Sequence, residues 1–579
     1  MNARGLRGLI AATAVFALAA CEGGAPGAGY AAAGYDAALG SVVNPSAHKG
    51  GTIIFEDSGT PDSTDPGNTY SGPVWNLVRL YGRALVTYRP APGASGLQLV
   101  PDLATGLGRV SDHGLTWTYH LRPGIKFEDG SAVTSQDVKY AVERSYARDV
   151  LPGGPGYFPA LLQDPGYRGP YKDATPGRLG LTSVQTPDPD TIVFRLRQPF
   201  ADFDYVAALP QTVPVPPARD TGADYQLHPV ATGPYMFQSY QPGKQLTLVR
   251  NPHWDAATDP NRRQLAARMV VNLNVNAAII DDNLIHNFAQ VDLTGTGAQA
   301  AAQAQILQDP ALMKNADDSP TGDLAFTYIN TKVKPLDNVH CRRAVEYAAD
   351  KTAYQLAFGG PLGGDVATTV LPPGLLGYEK FDLYEAATRP RGDLPRARQE
   401  LAACGQPGGF STAMAFISDY PKQKSAAAAL QQALSRAGIK VALQGYPSGT
   451  FFSDFAGAPS YVHQHDLGLA IGIWGADWPD GYGFLYNLVA GSAIAPAGNS
   501  NISELDDPAV NDMFTTALAT PSTAARMLIW SRIDRQVMSD AAILPGVYLK
   551  VLLYRNPDLT NVYVHRYYAM YDFACLGIN

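Results

Sequence analysis

Apolar and polar residues alternate near residue 115: Leu115, Trp117, Tyr119 and Leu121 are interleaved with Thr116, Thr118 and His120. A period of two predicts a strand with one buried face. The same signal recurs at Ile192, Phe194 and Leu196. Between them, Pro123-Gly124 and then Phe127-Glu128-Asp129-Gly130 turn the chain, and Thr134-Ser135-Gln136-Asp137 reads as a capping box opening a helix with Val138, Ala141 and Val142 on its stripe. Thr52-Ile53-Ile54-Phe55 reads as a buried strand, and 235–250 as a hairpin about Pro242-Gly243, a pair that suits a tight turn.

The second half changes rhythm. Residues 326–329 read as a strand and 342–356 as one helix, with Ala344, Val345, Tyr347 and Ala348 on or near its buried stripe. Asp393 caps a helix that begins at Pro395 and stops at Gly405. A strand at 413–417, a helix at 422–437 closed by Gly438 and a strand at 439–443 make a βαβ unit. These elements predict α/β lobes with mixed sheets and a Pro/Gly-rich subdomain between about 97 and 230, without an internal repeat.

The N-terminus follows a different pattern. Arg4 and Arg7 precede a 12-residue apolar run, LIAATAVFALAA, which is too short for a bilayer span of about 20 residues. A charged start and a short apolar run read as a secretory leader over 1–20. The run ends in Leu18-Ala19-Ala20-Cys21, which resembles the bacterial lipobox, and that resemblance implies lipidation of Cys21. The Gly/Ala-rich stretch 21–50 then reads as a flexible linker. No later apolar run reaches membrane length, so one lipid tether and no membrane span are expected.

Composition narrows the function. The 579 residues are 46% hydrophobic and 17% charged, so the chain can bury large cores. The net charge of −8 becomes −10 once Arg4 and Arg7 leave with the leader, and there is no long basic stretch, which argues against nucleic-acid binding. Tyr outnumbers Phe by 31 to 20, which suits binding surfaces. Beyond Cys21 there are three cysteines, and an odd number predicts a leftover thiol. Cys341 and Cys404 flank two helical segments of one lobe and are the expected disulfide. The sequence lacks G-x-S-x-G, H-E-x-x-H and Walker A motifs, and its one S-x-x-K, Ser46 to Lys49, lies at the end of the linker. Nothing here points to an enzyme or a cofactor.

Four ordered blocks carry a family resemblance: Gly114 through Gly130 continuing to Asp137-Val138; Thr232-Gly233-Pro234-Tyr235 with Arg250-Asn251-Pro252-His253-Trp254; Asn330-Thr331 with Pro335-Leu336-Asp337 and 343–351; and Trp474-Gly475-Ala476-Asp477-Trp478-Pro479-Asp480. Together they resemble the family 5 extracellular solute-binding proteins of peptide ABC importers. The resemblance implies a periplasmic-binding-protein-like clamshell of type II, with two hinged lobes plus an extra subdomain. Lobe I would span 51–324 with the inserted subdomain at about 97–230, lobe II 325–544, and 545–579 would return to lobe I. It also implies capture of a peptide or other small solute, delivery to a permease with its ATPase, and a monomer held by lipid on the outer face of the cell membrane. The Gly/Ala/Pro-rich, Arg-over-Lys composition suggests a high-GC Gram-positive source; in a Gram-negative cell the same protein would face the periplasm. Nickel, haem or oligosaccharide ligands, or a lipoprotein sensor, are the alternatives.

Asp477 is the foremost candidate site residue. It lies in an apolar, aromatic stretch where an unpaired carboxylate is costly, so it wants a cation. The resemblance assigns it the α-ammonium of a peptide; a structural arginine partner, or exposure at a strand end, is the competing reading. Trp474 is a pocket wall or a core residue, Gly475 lies in the same segment, and Tyr70 matches the family's first cleft loop. Where the family often has Pro after an acidic residue, this chain has Asp480-Gly481. His463-Gln464-His465-Asp466, taken as a strand, would put both imidazoles on one face, but without a third ligand no metal site is assigned.

Overall fold

The computed structural model describes residues 34–579 and the backbone of Tyr30 and Ala31; the leader and Cys21 lie outside the described residues. Two α/β bodies carry the fold. The first is a five-stranded sheet in the order Tyr235–Gln241, Gln245–Arg250, Arg268–Asn272, Thr52–Glu56, Val291–Asp292. Its outer hairpin is antiparallel, while Thr52–Glu56 runs parallel to both neighbours. The second is a six-stranded sheet in the order Gly364–Val366, Ile543–Tyr554, Ala316–Ile329, Leu469–Trp474, Ser411–Ile417, Lys440–Tyr446. Ser411–Ile417 and Lys440–Tyr446 are parallel and joined by the helix Pro421–Ser435, the expected βαβ unit. A four-stranded antiparallel sheet, in the order Arg109–Ser111, Thr116–His120, Thr191–Arg195, Val184–Asp188, forms the subdomain attached to the first body.

Two long antiparallel strands, Ala316–Ile329 and Ile543–Tyr554, link the two bodies. Ala316, Leu552 and Tyr554 pack with Ile280, Leu284 and Ile306 of the first body. The far ends, Ala325, Ile329, Leu544 and Val547, join the core of the second.

Local chemistry explains the ends of several elements. Thr134 and Asp137 form the capping box of the helix Ser135–Arg144. Asp393 caps the helix Leu394–Ala403. The single helix expected over 342–356 is two, Val339–Ala348 and Lys351–Ala357. Asp350 divides them, its side chain accepting from the Ala353 N–H at 2.9 Å.

The linker reading of 21–50 fails from residue 34 onward. Ala37–Gly40 is helical, and Ala38 and Val43 are buried. The Ala38 amide donates to Asp317 Oδ1 at 3.0 Å, Val43 bridges Val562, and Ser46 N–H donates to Asn561 Oδ1 at 3.0 Å. Gly/Ala composition suggested a leash, but its few larger residues find partners that are distant in sequence.

Cys341 and Cys404 form a disulfide with Cα atoms 5.4 Å apart, closing a separation of 63 residues. Cys575 is also disulfide-bonded and no described cysteine is free, so the expected leftover thiol is absent among the described residues. Replacing Cys341 and Cys404 by serine is expected to cost about 2–4 kcal/mol, read as a lower denaturant midpoint; an unchanged midpoint would show that the bond closes no costly loop. Among the described residues, no helix is long and apolar enough to cross a membrane.

Candidate functional site

Between the two bodies lies a cavity of about 760 Å³. Tyr70, Trp75, Arg566 and Tyr567 line it on one side, and Asp323, Tyr420, Lys422 and Gly475 to Asp477 on the other. Arg566 and Lys422 are exposed.

Asp477 follows the strand Leu469–Trp474 and precedes the helix Gly481–Val489. Asp480 caps that helix by accepting from Gly483 N–H at 3.0 Å, and Asp477 N–H donates to Gly483 O at 3.1 Å. The loop is therefore fixed by the helix it introduces. Trp478 anchors it from the other side, fully buried, with Tyr157 edge-on at 4.9 Å and Tyr205 and Tyr482 stacked at 6.1 and 5.7 Å. The Asp480-Gly481 departure has a steric reason: a Cβ on Gly481 would lie 2.3 Å from Trp530 Cβ. Asp202 of the subdomain meets Asp480 here, with Arg526 at 3.1 Å from Asp202. Burial and the neighbouring Asp202 push the Asp480 pKa far above the usual carboxylate range.

Asp477 is 9% exposed. Tyr70 Oη donates to Oδ1 at 2.7 Å, and Tyr157 Oη donates to Oδ2. Asn487 Nδ2 approaches Oδ2 at 3.4 Å, and Tyr567 Oη donates to the Asp477 carbonyl at 2.9 Å. Among the described residues no Lys, Arg or His forms an ion pair with it. The structural-arginine alternative is therefore not what the fold builds. Burial raises the Asp477 pKa above the usual range, against the opposing tyrosine hydrogen bonds.

Tyr70 stacks on Trp75 at 5.8 Å and lines the cavity beside Asp477. Trp474 instead packs on the hydrophobic core, while Ile473 and Gly475 on either side of it line the cavity. Tyr157, Tyr567, Asp323 and Arg566 escaped the sequence reading. Tyr157 ends a Gly/Pro loop, and Arg566-Tyr567-Tyr568 belongs to a tyrosine run in the C-terminal segment; that run was the available signal.

His463 and His465 do not lie on a strand. His463 is on the helix Pro459–Gln464 and meets Glu504 Oε1 at 2.9 Å, while His465 follows its end and stacks on Tyr461 at 3.8 Å. Pro459 opens a helix where alternation suggested a strand. No group of three or more His, Cys, Asp or Glu suited to a metal ion occurs among the described residues.

Comparisons with known proteins place this geometry. The chain is 25% identical over 500 residues to the probable D,D-dipeptide-binding periplasmic protein DdpA of Escherichia coli K12, covering 85% of this chain and 87% of that one. It is 25% identical over 469 residues to the glutathione-binding protein GsiB of Escherichia coli O1:K1, covering 79% and 82%. Among solved structures, clavulanic acid biosynthesis oligopeptide binding protein 2 superposes with a TM-score of 0.91 at 45% identity, covering 94% of this chain and 98% of that one. The architecture is the type II periplasmic-binding fold, with two mixed-sheet lobes and an added subdomain. The model of bacterial extracellular solute-binding proteins, family 5 Middle, matches residues 98–496, and the chain belongs to that family.

Proposed function

We propose that this protein captures peptides or related solutes bearing a free α-ammonium and delivers them, unaltered, to an ABC permease and its ATPase. The observation that carries the reading is Asp477: a buried carboxylate facing the cleft with no cation of its own. The dipeptide, glutathione and oligopeptide ligands in the relatives' names agree with it.

Lobe closure would bring the ammonium to Asp477 and lay apolar parts of the ligand on Trp75 and Tyr70. Arg566 and Lys422 offer positive charge in the same cavity for the ligand's carboxylate. A ligand favours the closed form only by its differential affinity for that form. Micromolar capture needs about −8 kcal/mol, within reach of one desolvated ion pair with main-chain bonds and apolar burial.

Thermal-shift measurements with peptides, oligosaccharides, nickel and haem test this reading. Peptides are expected to raise the midpoint; stabilisation by an oligosaccharide with every peptide inert would overturn it. Lipidation of Cys21 is the proposed anchor, since a monomer tethered beside its permease meets it at high effective concentration; with Cys341 bonded to Cys404, Cys21 and Cys575 are the two cysteines left, so a lipid thioether on Cys21 and a disulfide to Cys575 are mutually exclusive alternatives. The exported protein is expected to partition into detergent and to start at a lipid-bearing Cys21. A mature protein that stays aqueous, starts elsewhere or carries Cys21 in a disulfide would overturn the anchor.

A further inference from the structure

Away from the residues that line the cavity, the subdomain of the first body meets the second body in a buried seam. The Ala201 amide donates to Leu518 O at 3.0 Å, at the end of the helix Pro508–Leu518, and Phe200 packs edge-on against Tyr482 at 5.2 Å. Asp202 comes next and opens the helix Phe203–Ala207, which Phe203 holds to the subdomain through Phe158 and Phe194. Asp202 therefore travels with the subdomain. Arg526 and Asp480 belong to the second body. Arg526 Nη1 donates to the carbonyls of Thr520 and Pro521, both at 2.9 Å, and Asp480 caps the helix Gly481–Val489. These local partners do not depend on Asp202.

The charges of the seam do not balance. Asp202, Asp480 and Arg526 are 1%, 3% and 5% exposed, so two carboxylates and one guanidinium share a desolvated space. With both carboxylates ionised the seam would carry a net negative charge, which is costly at low dielectric. Hydrogen bonding shows the same deficit. Arg526 Nη2 lies 3.1 Å from Asp202 Oδ1, yet among the described residues no donor reaches either Asp202 oxygen with hydrogen-bond geometry. A proton on Asp480 would cancel the surplus charge and supply a donor. The other titratable groups around the pair bring no positive charge. The Tyr205 and Tyr482 hydroxyls are pushed up by burial, and Asp204 accepts from Gly108 N–H and Tyr119 Oη, both at 2.9 Å. Burial, with Asp202 beside it, lifts the Asp480 pKa well above the usual range, and burial lifts that of Asp202.

We propose that this seam is a proton-operated clasp: closing the cleft brings Asp202 onto the Asp480–Arg526 pair and takes up one proton from solvent, and opening returns it. In the open form the second body keeps a one-to-one ion pair, and Asp202 is a solvated carboxylate. The clasp concerns the movement of the two bodies and not the identity of the ligand, so it stands or falls apart from the peptide reading. A carboxyl whose pKa is higher closed than open favours closure fully below its open-form value of about 4, and the advantage is lost as the pH rises through the closed-form value. Between those values the closed-to-open ratio changes by up to about tenfold per pH unit. Asp477 titrates in the opposite sense, since it must be ionised to hold an ammonium. The clasp therefore blunts the loss of ligand affinity that protonation of Asp477 causes.

Small-angle X-ray scattering of the ligand-free, full-length chain between about pH 8.5 and about pH 5 tests the clasp. The wild-type radius of gyration is expected to shrink with acidification. Asp202→Asn leaves the Asp480–Arg526 pair with a neutral neighbour, so it is expected to be as compact at the alkaline end as the wild type is at the acid end, with the acid-driven shrinkage gone. Asp480→Asn, which keeps a capping side chain, is expected to behave the same way. Loss of a merely structural contact would instead loosen closure at every pH. A wild-type radius that does not change with pH overturns the clasp. Asn variants that shrink with acid as the wild type does, or that are more open than the wild type throughout, also overturn it.

Discussion

Asp477→Asn is expected to weaken binding of a free-amine peptide about 30- to 1000-fold, the cost of losing one member of a desolvated charge pair. N-acetylation of the ligand should cost a similar factor in the wild type and little more in the variant, because both changes remove the same pair. Calorimetry on the four combinations reads the coupling; additive losses would show that amine and carboxylate do not meet. The pH dependence has a definite sign. The ligand's ammonium binds the ionised carboxylate, and burial places the Asp477 pKa above the usual range. Affinity should therefore fall with acidification, beginning at a higher pH than an exposed carboxylate would give. Tyr70, Tyr157 and Asn487 are the groups that face this carboxylate, and none brings a positive charge to offset the trend.

The largest stability effect is expected away from the cleft, at Asp102. This buried carboxylate accepts from Arg83 Nε at 3.0 Å and from Arg262 Nη1 and Nη2 at 2.8 and 2.6 Å. Asp259 faces the same two arginines, at 3.7 and 3.3 Å. Arg262 also donates to the carbonyls of Arg79 and Gly82, binding the end of the helix Gly72–Tyr81 to residues 259–262. Asp102→Ala leaves two buried guanidiniums sharing one carboxylate and should cost about 3–5 kcal/mol. Chemical denaturation reads this as a lower midpoint with little change in slope; a loss below about 1 kcal/mol would mean that water replaces the missing partner. The pair of arginines holds the Asp259 pKa down to about 2. Its stabilising contribution is therefore complete above its unfolded pKa of about 4 and lost as the pH falls through about 2.

Local signals in the sequence carried most of the architecture. Alternation marked Thr116–His120 and Thr191–Arg195, Pro242-Gly243 marked its hairpin, and strand, helix, Gly, strand marked the parallel unit in the second body. Asp477 stood out because a charge in an aromatic run asks for a partner. Its surroundings were not legible: Tyr157 lies 320 positions away and Tyr567 90, and side-chain patterning does not encode such distances. Asp323 was hidden for another reason. It reads as a polar residue before a strand, and only the bulge at Thr321–Asp323 reveals where it points. The linker and the two histidines misled in a shared way. Composition and spacing were read without neighbours, while Val562, Asn561 and Glu504 decided the outcome.

The hydroxyls of Tyr70 and Tyr157 occupy both oxygens of Asp477. As neutral donors they offset part of the cost of burying that carboxylate without cancelling its charge. If Asp477 takes the ligand's amine as proposed, that amine shares a carboxylate already partly satisfied by hydroxyls, so the gain is smaller than a bare ion pair would suggest. On the proposed reading, a receptor that binds in this way can let go again, as handing cargo onward would require.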